Sequence, residues 1–233
     1  MREKVIAWGV QAYTALGLVT GSLALRAVLR ADMRGAFLWL ALSTLIDGTD
    51  GPLARRFRSA QILPDFNGRK LDDIVDYVNY VFIPALILAR SDLLPAGRWV
   101  WAMVPLLASA YGFCQEKAKT DNGYFTGFPS YWNIAVLYLS LFTFPRALNL
   151  LIVLALAVLV FIPIRYIDPF KTKPLARLTR PLTVAWAVSV LALIFHMPDV
   201  NPLLLRASFL YPCYYLLASF WINAGMRSTV DHR

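Results

Sequence analysis

Charge is scarce in this chain. Asp, Glu, Lys and Arg together make up 16% of its 233 residues, against about 25% in an ordinary soluble domain. Too few charges are present to coat a globule of this size, which excludes a water-soluble fold and leaves lipid as the surrounding solvent. Histidine and cysteine are scarcer still, with two of each. Cys114 and Cys213 lie inside apolar stretches without metal-site spacing and read as packing residues. His196 and His232 read as interfacial or tail residues. Acidic side chains are outnumbered, 14 against 23 basic ones, for a formal net charge of +9. The basic residues fall in short clusters between apolar runs, as membrane-flanking charges do, so nucleic acid is excluded as a partner. Internal repeats, low-complexity tracts and soluble domains are all lacking. The chain reads as one membrane-embedded domain over residues 1–233.

Apolar residues are abundant, at 58% of the chain. A helix that crosses the hydrocarbon core needs about 20 mostly apolar residues. Eight stretches meet this, some by borrowing flanks: 5–29, 35–53, 74–89, 99–113, 131–144, 148–164, 182–195 and 203–224. The fold expected is therefore an all-α polytopic membrane protein. The short charged start leads into a stretch without a clear cleavage site, so it reads as a first span and not as a removed signal peptide. With the N-terminus in the cytoplasm, 16 of the 23 Lys and Arg residues fall in cytoplasmic segments, which supports eight spans with both termini inside. Arg26, Arg30 and Arg34 run against the bias. A second arrangement lays the first helix flat on the inner surface and brings those arginines inside. Trp99, Trp101, Trp132, Trp186 and Trp221 stand at or near span ends, as interfacial anchors do.

Charges inside membrane helices are expensive and mark function. The second span ends with Asp47, Asp50, Gly51, Ala54 and Arg55; the third begins with Gly68, Asp72 and Asp76. Residues three and four apart share a helix face, so Asp47 pairs with Asp50 and Asp72 with Asp76. A short loop joins the two spans, which brings four carboxylates together at the cytoplasmic end of one helix pair. Four negative charges in a low-dielectric site repel unless protonated or bound to cations. With no His or Cys nearby, a hard divalent ion held by oxygen is the natural partner. Gly51, Gly68 and Ala54 take bulk off the stripe and leave room for a nucleotide or diphosphate. Asp73 is rotated off the stripe, beside Arg69.

The pattern Asp47-x2-Asp50-Gly51-x2-Ala54-Arg55, then Gly68-x3-Asp72-x3-Asp76, resembles the signature of the CDP-alcohol phosphotransferase family in all eight of its residues. One departure is the linker: twelve residues separate Arg55 from Gly68, where the family more often has fewer. That length, and the stretches 50–57, 123–133 and 170–174, resemble the bacterial phosphatidylcholine synthase branch. The resemblance implies a CDP-alcohol phosphotransferase fold in a bacterial inner membrane, multi-pass and homodimeric, with its site facing the cytoplasm. Asp47, Asp50 and Asp72 would ligate Mn²⁺ or Mg²⁺, as a pair of ions. Asp76 would act as general base and share the second ion. Gly51, Ala54, Arg55 and Gly68 would line the CDP site. The reaction implied is attack of choline on CDP-diacylglycerol, giving phosphatidylcholine and CMP. Phosphoryl transfer of this kind needs a metal against the phosphate charge and a carboxylate for the hydroxyl proton.

Choline carries a fixed cation with no N–H donor and calls for an aromatic cage with a carboxylate. Tyr80, Tyr111, Glu116, Tyr131 and Trp132 are the candidates, at the membrane depth of the aspartates. Lys171 and Lys173 are candidates for contact with the diphosphate or with anionic lipid, beside their plainer reading as topology signals. Two alternatives stay open. One is the same chemistry with serine, inositol phosphate or glycerol phosphate as acceptor. The other is a cation transporter, which the clustering of the aspartates at one membrane face argues against.

Overall fold

The computed structural model describes residues 1–115, 124–169, 172 and 175–230, apart from the side chains of 125 and 225–230. It is almost entirely helical. Helices α1 (Arg2–Leu29) and α2 (Met33–Arg56) form a hairpin, followed by the short α3 (Ser59–Ile62). The third expected span is one continuous helical path in three parts: α4 (Gly68–Asp76), a π-helical segment (Tyr77–Phe82) and α5 (Ile83–Arg90). Helices α6 (Arg98–Phe113), α7 (Trp132–Leu141), α8 (Arg146–Phe161), α9 (Ala176–Phe195) and α10 (Pro202–Val230) complete the bundle. Each of the eight expected stretches thus falls on a helix. The unforeseen element is a two-stranded antiparallel ribbon, β1 (Tyr124–Thr126) with β2 (Arg165–Ile167), in which Phe125 faces Tyr166.

Local chemistry sets the helix starts. The Asp32 side chain accepts the Gly35 N–H at 2.8 Å and caps α2; Asn67 does the same for Lys70 at 3.1 Å and caps α4. Each satisfies an N–H that the first turn leaves without a partner. Between α1 and α2 the chain reverses through Ala31, at φ 58°. Tyr13 then meets Thr49, hydroxyl to hydroxyl at 2.8 Å, and Gly17 faces Ser43, so the two helices run antiparallel.

α1 presents a stripe of Ala7, Val10, Thr14, Gly17, Gly21, Ala24 and Val28 to the interior. The spacing of three and four is that of one buried helix face. Gly17 and Gly21 make a small-xxx-small pair, the device by which membrane helices approach backbone to backbone. A Cβ at Gly17 would collide with Val75, and one at Gly21 would stand 2.9 Å from Asn79 Oδ1. Asn79 uses the closeness to donate its amide to the Gly17 carbonyl at 2.9 Å. A helix clasped in this way along α2 and the α4 path is a member of the bundle.

Among the described residues, three helices are long and apolar enough to cross a membrane, at Arg2–Leu29, Ala176–Phe195 and Pro202–Ala224, with shorter apolar helices beside them. The outward faces carry Leu107, Leu151, Val188, Leu210 and Trp221, each more than 60% exposed. An apolar surface of this extent is untenable in water and natural in lipid: the chain is a membrane protein. Two of the five tryptophans depart from the expected interfacial role. Trp132 is fully buried, and Trp186 turns its indole N–H to the Tyr138 hydroxyl at 2.9 Å. Cys114, expected to pack inside, is exposed, because it caps α6 and stands past its buried face.

Candidate active site

One end of the bundle gathers the C-terminal turns of α2, all of α4 and the N-terminus of α7. Asp47 and Asp50 are three residues apart on α2, and Asp72 projects from α4. One carboxylate oxygen from each lies within 4.8 Å of the others. Asp50 is buried, while Asp47 and Asp72 are half-buried. At 4.8 Å each pair of charges repels by roughly 3.5 kcal/mol at the effective dielectric of about 20 that suits protein sites. Three such pairs rival the whole folding stability of a domain. The trio is stable with a cation or with protons, and its donors, all carboxylate oxygens, fit a hard divalent ion. Asp76 stands outside this close trio, one turn beyond Asp72 and half-buried.

Immediately after Asp76 the helix widens into its π segment, Tyr77–Phe82. Such bulges re-aim side chains and recur at functional sites. Tyr77 points to α6, where its hydroxyl donates to the Leu106 carbonyl at 2.8 Å. Tyr80 points to the trio, and its hydroxyl donates to Asp47 Oδ2 at 2.7 Å. A second polar pair stands behind: Asn133 Nδ2 donates to Thr44 Oγ1 at 3.4 Å, and the Thr44 hydroxyl donates to the Leu40 carbonyl. Tyr80 therefore supports a carboxylate of the trio, a role that its spacing from Asp76 did not reveal.

The expected nucleotide-lining residues divide. A Cβ on Gly51 would meet only the Arg55 guanidinium, at 3.4 Å, and one on Gly48 would meet nothing within 4 Å. The α2 surface beside Asp50 is thus open; Ala54 is half-buried there and Arg55 is exposed. Gly68 is different. A Cβ there would press on the amide end of the Gln11 side chain of α1, 2.7 Å from its Oε1.

The acceptor candidates divide as well. Tyr131, at the N-cap of α7, sets its ring 6.2 Å from that of Tyr80. Tyr111 is exposed and packs on Phe161. Trp132 spends its indole N–H on Ser109 Oγ at 2.8 Å and stands edge-on to Phe128 in the core. Glu116, Lys171 and Lys173 lie outside the described residues. Sequence reasoning passed over Tyr215 of α10, whose ring lies 6.4 Å from Tyr131, and Tyr166 of β2, stacked on Tyr215. It also passed over the buried Asp168 as a site residue. Burial pushes the Tyr166 phenol up to about 12. The one available signal was the run of tyrosines at 211, 214 and 215 inside an apolar span.

No family model matches the chain. Among curated proteins it is 36% identical to a phosphatidylcholine synthase of Pseudomonas aeruginosa, over 95% of this chain and 94% of that one. It is 32% identical to the phosphatidylcholine synthase of Borreliella burgdorferi, over 96% and 97% of the two chains. A phosphatidylcholine synthase of Legionella pneumophila is 34% identical, over 95% of this chain and 90% of that one.

Proposed function

The chain belongs to the phosphatidylcholine synthase family of CDP-alcohol phosphotransferases, and from that premise we propose that it transfers the phosphatidyl group of CDP-diacylglycerol to choline, releasing CMP. One observation carries the chemistry: carboxylate oxygens from two helices converge within 4.8 Å beside an open stretch of α2. Asp47, Asp50 and Asp72 would hold Mn²⁺ or Mg²⁺, and Asp76 would contribute to a second ion. A bound dication neutralises charge on the diphosphate and polarises its oxygens.

The protein's own residues do the rest. Gly51 and Ala54 let the diphosphate approach the α2 backbone, and the Arg55 guanidinium meets its negative charge. Gly68 lines the same CDP site, with Gln11 of α1 beside it. Asp76 takes the proton of the choline hydroxyl as general base. The choline oxygen forms its new bond to the phosphorus that bears diacylglycerol, and the bond from that phosphorus to the oxygen of CMP breaks. The whole chain acts as one catalytic domain, with eight spans in a bacterial inner membrane, its site open to the cytoplasm, and two copies forming a homodimer. Lys171 and Lys173 add positive charge towards anionic lipid or the diphosphate.

The decisive experiment supplies purified protein with CDP-diacylglycerol, Mn²⁺ or Mg²⁺, and choline, serine, inositol phosphate or glycerol phosphate in turn. CMP release that requires both choline and the dication is expected. Release with serine alone would refute the acceptor. Choline movement across vesicles without CMP would favour a transporter.

A further inference from the structure

The site just described has no assigned place for the acceptor's cation. A quaternary ammonium offers no N–H, so hydrogen bonding cannot hold it; aromatic faces in a negative field can. Its hydroxyl is only two carbons from its nitrogen, so whatever binds the cation must adjoin the reacting carboxylates. A line of tyrosines meets that condition. It begins at Tyr80, hydrogen-bonded to Asp47, and continues to Tyr131 at 6.2 Å and Tyr215 at 6.4 Å between ring centroids. Successive rings are inclined at 63° and 61°, so their faces turn in different directions, as the walls of a corner do.

Tyr215 is 8% exposed and Tyr166 fully buried, yet neither hydroxyl has a hydrogen-bond partner among the described residues. A buried polar group left so costs about 1–3 kcal/mol, a cost to stability that is separate from the ring faces a cation would meet. Tyr166 stacks on Tyr215 at 6.2 Å with 17° between the rings, which holds the Tyr215 face in place from behind. The buried Asp168 lies just past β2, two residues after Tyr166. Its own N–H donates to Thr172 Oγ1 at 2.8 Å.

We propose that Tyr131 and Tyr215 are the walls that receive the quaternary ammonium of the acceptor, with Asp168 supplying the negative field. The proposal rests on choline being the acceptor. It assigns Tyr80 to the metal side of the site and Tyr111 and Trp132 to packing.

The test measures CMP release by the full chain with CDP-diacylglycerol and Mn²⁺. Choline is varied, and 3,3-dimethylbutan-1-ol, its neutral isostere, serves as competitor. Y215L is expected to raise the KM for choline about tenfold, leaving the KM for CDP-diacylglycerol and the Mn²⁺ activation constant in place, and Y215F, which restores the ring face, to recover most of the loss. D168N, which keeps its volume, carries the test if Y215L does not fold: the preference for choline over the neutral isostere should fall about tenfold. An unchanged choline KM in Y215L, a rise confined to CDP-diacylglycerol, or an unchanged preference in D168N would overturn the assignment. Wild-type protein that releases no CMP with choline would overturn the proposed function itself, and the cage with it.

Discussion

Replacing Tyr80 by Phe removes one oxygen atom and keeps the ring that packs against Tyr131. The lost atom donates to Asp47 Oδ2 at 2.7 Å from a residue that is 8% exposed. A hydrogen bond to a charged acceptor contributes about 1.5–3 kcal/mol net. Outer-sphere partners of metal-bound carboxylates are worth about 10- to 100-fold in metal affinity, which at about 1.4 kcal/mol per tenfold is the same range. The two estimates agree, so Y80F should raise the Mn²⁺ activation constant for CMP release by at least about tenfold. The KM for choline should stay near that of the wild type, because the ring remains. A titration of activity against Mn²⁺ at saturating substrates reads the first effect, and a choline titration at saturating Mn²⁺ reads the second. An unchanged activation constant with a raised choline KM would refute the reasoning and return Tyr80 to the acceptor side.

Asp50→Asn, at the most buried of the trio, should abolish CMP release and also the rise in thermal stability that Mn²⁺ gives the detergent-solubilised protein. Stabilisation that survives would show the ion held elsewhere. Asp76→Asn should lower kcat by about 10²- to 10⁴-fold, the worth of a general base, while Mn²⁺ still stabilises the fold. Gly51→Leu puts a side chain into the open α2 surface. It should fold and raise the KM for CDP-diacylglycerol about tenfold or more, the cost of atoms forced into an occupied site. Gly17→Leu drives atoms into Val75 and should cost roughly 1–3 kcal/mol of stability, read as a lower melting temperature, in contrast to Gly9→Leu, where a Cβ meets nothing within 4 Å.

The signature spacing was legible because a helix is periodic. Residues three and four apart share a face whatever the surroundings, so the pairing of Asp47 with Asp50 follows from the chain alone. Helix existence was legible for the same reason that membrane character was: long apolar runs with few charges leave the backbone no solvent except itself. Periodicity also located Tyr80 near Asp76, but its π turn is a departure from that period, and only the packed bundle aims its hydroxyl at Asp47. Gly68 was legible as a gap in the stripe, but only the packing of α1 shows that Gln11 stands beside it.

By itself the sequence determined that this chain lives in lipid and carries acidic residues on two successive expected spans. The tertiary structure alone decided which three carboxylates close on one point, and which aromatics stand beside them. Tyr131 at the start of α7, Tyr166 and Asp168 in and just after β2, and Tyr215 in α10 come from three stretches far apart in the chain. Their meeting depends on interhelical packing, where small residues and buried amides select partners, and no local repeat encodes that choice.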